Sequence, residues 1–211
     1  DQYGILLILD EVMCGMGRTG SLFACDQEGV APDILCIAKG LGAGYQPIGA
    51  MLCSAKIYET IENGSGFFQH GHTYLGHPTA AAAGVAVVSA MLERDLIAQV
   101  KTQGDKLMAA LHAKLGQHPH VGDIRGRGLF QGIELVESRD SKKPFDPPHK
   151  IASKIKIAAF EAGLICYPMS GTIDGQSGDH VLLAPPFIIT DAQIDELVSK
   201  LSGAIETALA S

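Results

Sequence analysis

Runs of consecutive apolar residues, not alternation, organise the first third of the chain. They predict strands over 4–9, 33–38 and 48–53. An unbroken apolar run of this length, bounded by turn residues, is the pattern of a strand covered on both faces. Short helices are expected over 21–28 and 56–63. Apolar strands separated by glycines and short helices predict a buried, largely parallel or mixed sheet. The period then changes. Pro78 can occupy the first turn of a long helix reaching about Arg94, where its missing N–H costs little. The Ala- and Val-rich stretch 80–91 inside it reads as a buried helix. A second helix over 96–115 carries Leu96, Val100, Leu107, Leu111 and Leu115 at mostly helical spacing.

Beyond the helices the pattern predicts a smaller α+β region, with strands over 129–136, 164–167 and 181–183 and a helix over 150–162. Thr190, with Gln193 three residues on, forms a capping-box pattern opening a final helix. Loops are expected at 144–148 and 171–178. The implied organisation is a sheet-bearing region 1–76, linking helices 77–117 and a small domain 118–211.

Composition changes this picture little. Of 211 residues, 46% are hydrophobic and 18% charged, which is ordinary for a packed soluble protein. The formal net charge is −7 and no Lys/Arg-rich block stands out, so a nucleic-acid partner has no support. No apolar stretch is long enough to predict a transmembrane helix, so no membrane partner is expected. Five cysteines without CxxC spacing read as small buried hydrophobes in a reducing, cytoplasmic setting. Asp1-Gln2-Tyr3 leads almost directly into a central-strand pattern, which is the expectation for a piece of something longer.

Two positions carry chemistry. Asp10-Glu11 ends the first strand, and ligand sites in open α/β sheets lie at the carboxyl ends of strands. Lys39 ends the next apolar run and is followed by Gly40, Gly42 and Gly44. An amine there is expected to be desolvated, which lowers its pKa and favours Schiff-base chemistry. The glycines would let a bulky planar ligand approach the backbone. Singly, each has a bland reading: a polar strand exit, and a surface lysine beside a flexible turn. Together they fit a pyridoxal-phosphate (PLP) enzyme, which needs a lysine for the cofactor aldehyde and a carboxylate to keep the pyridine nitrogen protonated. Two decoys compete. His70, His72 and His77 cluster, but without an acidic or Cys neighbour this is weak zinc spacing. Gly15-Met-Gly17-Arg-Thr-Gly20 matches a dinucleotide fingerprint, yet Asp10-Glu11 lies where a pyrophosphate would be repelled.

The segments Leu7-Ile-Leu-Asp10-Glu-Val-Met-Cys-Gly-Met-Gly-Arg-Thr-Gly20 and Pro32-Asp-Ile-Leu-Cys-Ile-Ala-Lys39-Gly-Leu-Gly-Ala-Gly-Tyr-Gln-Pro-Ile-Gly49 closely resemble the aspartate and lysine motifs of class III, ω-transaminase-type aminotransferases. His70-Gly-His-Thr73-Tyr-Leu-Gly-His77-Pro78 resembles a third block. Ile124-Arg-Gly-Arg-Gly-Leu-Phe-Gln-Gly-Ile-Glu-Leu135 and Leu182-Leu-Ala-Pro-Pro-Phe187 resemble strands of the family's small domain.

The resemblance implies a fold-type-I PLP-dependent transferase: part of the large domain plus a small α+β C-terminal domain. It implies that Asp10 pairs with the pyridinium nitrogen and Val12 packs on one ring face. Lys39 would form the aldimine and move the proton between Cα and C4′. Thr73 would contact the cofactor phosphate of a neighbouring subunit, hence a homodimer with shared sites. The expected reaction carries nitrogen from an amine or amino acid to a 2-oxo acid such as pyruvate, with no metal. Two departures stand out. Several family members hold a substrate carboxylate with an arginine where this chain has Leu182, so the donor is open; Arg125 or Arg127 could lie nearby, and Tyr167 is a possible pocket wall. The family's N-terminal half, with the phosphate-cradling turn, has no counterpart here. Rival readings are an aminomutase, decarboxylase or racemase of the same fold, and a catalytically silent piece acting as a structural subunit.

Overall fold

A computed structural model describes residues 2–210. Its contacts divide the chain after Ala98 into two compact units. In the first, β1 (Ile8–Asp10), β2 (Ile34–Ile37) and β3 (Ala50–Cys53) form a mixed sheet in that spatial order. β1 and β2 run parallel, with Ile8 opposite Ile34 and Asp10 opposite Cys36, and β3 returns antiparallel to β2.

The three apolar runs do become strands, but only the middle one is covered. Leu35 and Ile37 of β2 are buried, whereas β3 is exposed throughout and Ile5, ahead of β1, is 74% exposed. An edge strand has one neighbour, so its apolar side chains stay wet unless another layer covers them. The helix expected over 21–28 is a five-residue 3₁₀ turn, Ala24–Glu28. Gly29 stops it in the left-handed region, at φ 63°. Helix α1 (Ala55–Asn63) and helix α2 (Pro78–Glu93) follow, with Pro78 in the first turn of α2. The expectation that α2 is buried does not hold. Among its side chains only one stripe is covered, at Ala80, Gly84 and Met91, while Val85 is 68% exposed.

Helix α3 (Leu96–Leu115) leads into the second unit. There β4 (Val121–Arg127), β5 (Phe130–Leu135), β6 (Tyr167–Ser170) and β7 (Asp179–Leu183) form an antiparallel sheet in the order β4–β5–β7–β6. Residues of β5 and β7 alternate between buried and half-buried, the pattern of a sheet with one face against helices. Helix α4 (Ile151–Glu161) and helix α5 (Asp191–Ala210) share that core, which includes Leu107, Leu111, Ile133, Ile155, Leu201 and Ile205. Burying each such side chain stabilises by about 1.5–3 kcal/mol before conformational entropy is charged. The capping box forms as expected: the Thr190 N–H donates to Gln193 Oε1 at 3.0 Å and the Gln193 N–H to Thr190 Oγ1 at 3.3 Å.

The polar strand β4 was not anticipated. It pairs with β5 through a tight turn at Gly128, where φ is 53°. The cysteines also depart from expectation. All five are free, but only Cys25 is buried and Cys53 is exposed. Among the described residues no helix is long and apolar enough to cross a membrane.

Candidate active site

Because β1 and β2 are parallel and in register at Asp10 and Cys36, the chain leaves both strands at the same edge of the sheet. Asp10 is the last residue of β1. Lys39 opens a 3₁₀ turn, Lys39–Leu41, just past the end of β2. Neighbouring strands lie about 4.8 Å apart and each residue advances about 3.3 Å, so the two backbones stand roughly 10 Å from one another. An acid and an amine thus share the carboxyl edge, the usual ligand side of such a sheet.

Asp10 is exposed, and its Oδ1 accepts the Val12 N–H at 3.0 Å, which ties the half-buried Val12 to the carboxylate. The Cys14 thiol donates to the Asp10 carbonyl at 3.8 Å. Burial, then the negative charges of Glu11 and Asp10, push that thiol up from its ordinary value, so it stays a donor.

Glu11 behaves differently from its neighbour. It is only 3% exposed, its N–H donates to the Cys36 carbonyl at 2.9 Å, and its carboxylate accepts the N–H groups of Ala24 at 2.6 Å and Cys25 at 2.8 Å. Successive strand residues point to opposite sides. What reads as one acidic pair is therefore an exposed acid and a buried clip. Burial also holds the Arg18 guanidinium down to about 10.

Lys39 is exposed, not desolvated by the residues described. Its backbone takes φ 40°, a conformation that costs a residue with a β-carbon roughly 1–2 kcal/mol. Two of the glycines after it serve the chain itself. A β-carbon on Gly40 would stand 2.9 Å from Met16 Cβ, and one on Gly42 would stand 2.7 Å from the Gln46 carbonyl oxygen and Ile48 Cγ2. Gly44 alone has open space, in the left-handed region at φ 82°.

Thr73 is exposed on the separate connection that leads into α2. Its neighbours His72 and Tyr74 line a cavity of about 750 Å³ together with Gln46, Ile48 and His77. Helix α2 packs on the lysine turn at Gly84, where a β-carbon would lie 3.7 Å from the Leu41 carbonyl oxygen and 3.3 Å from Ile48 Cδ1. Asp10, Val12 and Lys39 therefore gather at one edge, while Thr73 lies between two residues, His72 and Tyr74, that line a cavity beside the chain continuing from the lysine turn.

Among the described residues no group of three or more His, Cys, Asp or Glu could hold a metal ion. Gly17 and Gly20 are left-handed turn residues, at φ 88° and 92°, and the next helix after them is the short 3₁₀ turn, not the long helix of a dinucleotide fold.

In the second unit, register puts Arg125, Gly132, Leu182 and Tyr167 in one row across the sheet. The Arg125 guanidinium lies 2.9 Å from both Asp123 and Glu134, and those bonds raise its pKa. It is a cross-strand brace. Tyr167 is the cross-strand neighbour of Leu182.

The family model for aminotransferase class III matches residues 1–205. The chain belongs to the class III aminotransferases. It is 46% identical, over its full length, to an uncharacterised aminotransferase of Schizosaccharomyces pombe, of which it covers 46%. Among solved structures, a transaminase from the marine bacterium Virgibacillus superposes with a TM-score of 0.92 at 36% identity, over 99% of this chain and 46% of that one. An amine transaminase from an uncultivated Pseudomonas species, in its PLP-bound internal aldimine form, gives a TM-score of 0.88 at 38% identity, over 98% and 45%. The class III chain thus has the fold-type-I architecture of these transaminases and spans less than half the length of each of these relatives.

Glu11 and Met16 are the residues that motif reading missed. The only trace of Glu11 was its place next to Asp10 at a strand exit. For Met16 there was no local trace, because its partner Gly40 belongs to another loop.

Proposed function

We propose that this class III chain supplies the cofactor lysine and the ring-nitrogen partner of a PLP-dependent transaminase. The observation that carries the reading is the parallel register of Asp10 with Cys36, which puts Lys39 at the same sheet edge as Asp10. The donor set fits the cofactor: an amine to condense with its aldehyde, and an exposed carboxylate to hold a proton on its pyridine nitrogen. Val12, fixed to Asp10 by its N–H, is suited to cover a ring face. When bound, the cofactor supplies an electron sink for the charge that develops at the substrate's α-carbon.

Within that frame Asp10 holds the pyridine proton by opposite charge. Lys39 Nζ would hold the cofactor until the substrate's amine displaces it; the freed Nζ would then act as the base that takes the proton from the α-carbon and returns it one position away. Nitrogen passes from an amine or amino acid to a 2-oxo acid such as pyruvate. Thr73 is the residue we assign to the phosphate of a neighbouring subunit's cofactor, on resemblance to the family motif, so the working unit is a homodimer. Region 1–76 is read as part of the cofactor domain, 77–117 as linking helices and 118–211 as the small domain.

Borohydride fixation of PLP on the chain, mapped by peptide mass, tests the reading. The expected result is label on Lys39, lost in Lys39→Ala and weakened in Asp10→Asn; label spread over surface lysines would defeat it. Product formation that requires added pyruvate would separate transamination from an aminomutase, decarboxylase or racemase.

A further inference from the structure

Met16 and Lys39 lie on different loops, yet both take the left-handed backbone region, at φ 52° and 40°. They meet at Gly40. Beyond Gly40 and its two chain neighbours, the three heavy atoms nearest to a β-carbon built on Gly40 all belong to Met16: Cβ at 2.9 Å, the carbonyl oxygen at 3.6 Å and Cγ at 3.8 Å. Met16 therefore backs directly onto the residue that follows the lysine.

Its own place is tightly set. Met16 is 4% exposed. The loop carrying it is closed by the Glu11 carboxylate on the Ala24 and Cys25 N–H groups. On either side, the Gly15 N–H donates to the Glu11 carbonyl at 3.0 Å and the Gly17 N–H to the Leu22 carbonyl at 3.1 Å. Past Lys39, the Leu41 N–H donates to the Ala38 carbonyl at 2.9 Å and the Gly42 N–H to the Lys39 carbonyl at 3.2 Å. Such bonds close a turn but do not require a positive φ at its first residue. A side chain wedged against Gly40 from another loop does restrict it. Residues in disfavoured conformations persist only where their surroundings over-determine them.

We infer that Met16 is a positioning residue for Lys39: its buried side chain, held by the Glu11 clip, keeps the lysine backbone left-handed and its amine at the carboxyl edge of β1 and β2. The conformational claim stands on geometry alone; its value to the chemistry rests on the cofactor role proposed above for Lys39.

The test uses the full chain with Met16→Gly, which removes the Cβ nearest to Gly40, and with Met16→Leu as the volume-keeping control. If Met16→Gly does not fold, Met16→Ala, which keeps Cβ and removes Cγ, should show a smaller loss, and no loss there would overturn the inference. Without any cofactor, the intraresidue HN–Hα NOE and coupling of Lys39 report the sign of φ. Positive φ is expected in the parent and in Met16→Leu, and its loss in Met16→Gly. Lys39→Gly, which relieves the strain, should raise the melting temperature of the parent by about 2–4 °C and leave that of Met16→Gly unchanged. Fixation of PLP on Lys39, relative to the exposed Lys101, should fall about tenfold in Met16→Gly and recover in Met16→Leu. Retained positive φ in Met16→Gly, or equal stabilisation by Lys39→Gly in both backgrounds, would overturn the inference. Loss of positive φ in Met16→Gly, in a chain whose parent fixes no PLP on Lys39, would uphold it and sink the cofactor reading instead.

Discussion

At the scale of single residues, two neighbouring acids do opposite work because a strand sends them to opposite sides. Asp10 is available for a ligand, whereas Glu11 is consumed in structure, its two oxygens accepting backbone N–H groups at 2.6 and 2.8 Å away from water. Hydrogen bonds to a charged group are worth about 1.5–3 kcal/mol each, and losing the acceptor leaves two buried donors unsatisfied. Glu11→Ala should therefore lower the stability of the chain by about 2–4 kcal/mol in urea unfolding, and Glu11→Gln by about half of that. The proposed Asp10→Asn leaves the Val12 N–H an acceptor, so its effect should fall on cofactor fixation and not on unfolding. An Asp10→Asn loss as large as that of Glu11→Ala would mean that Asp10 is structural too. Residue chemistry at the strand ends picked out Asp10 and Lys39, and the family resemblance added Val12 and Thr73. Neither spoke to the burial of Glu11 or to Met16, since those depend on which distant backbone arrives beside them.

At the scale of elements, helices were the more legible part. α3 and α4 lie within a residue or two of their expected spans, and α5 opens just after Thr190 as its capping box implies, because a periodic apolar stripe or a cap is a local signal. Strands were read less well. β6 begins at Tyr167 where 164–167 was expected, and β4, with two glycines and three charges, carries no apolar signature. Its pairing is decided by β5 and by glycine turns, which is tertiary information.

The junction of α3 and α5 gives an element-scale prediction. Gln103 Nε2 donates to the Ile189 carbonyl and to Asp191, and Lys106 Nζ reaches both Asp191 oxygens at 2.8 and 2.9 Å. The Lys106 bond first, then that of Gln103, holds the Asp191 carboxyl below its ordinary value of 3.8. A depressed acid contributes stability that is present above the unfolded-state pKa and lost as pH falls through the folded one. The melting temperature of the parent should therefore exceed that of Asp191→Asn near neutrality, with the gap closing between about pH 5 and pH 3. A gap that is constant with pH would assign the effect to packing. Because the pair is exposed, raising the salt concentration should narrow the gap as well.

At the scale of the whole molecule, the two units differ in how completely they bury themselves. From Gln99 onward a single continuous core forms, and the edges of its sheet are guarded: Asp123, Arg125 and Arg127 lie on β4, and Pro168 on β6. Charges and proline on edge strands discourage pairing with other chains. In the unit up to Ala98, both edges are unguarded. The residues 5–8 ahead of and into β1 are exposed Ile and Leu, and β3 shows Met51 and Leu52. Exposed apolar edges of this kind promote association. The chain should therefore self-associate at micromolar concentration through its first unit, with amide exchange fastest in β1 and β3 and slowest in β5, β7 and α5. Ile5→Lys combined with Leu52→Lys should shift sedimentation toward the monomer while leaving exchange in the second unit unchanged. Neither position belongs to the proposed cofactor contacts, so fixation of PLP on Lys39 should be retained. If the double variant associates as strongly as the parent, the contact lies elsewhere. In that case the wet apolar strands of the first unit are not what draws the chains together.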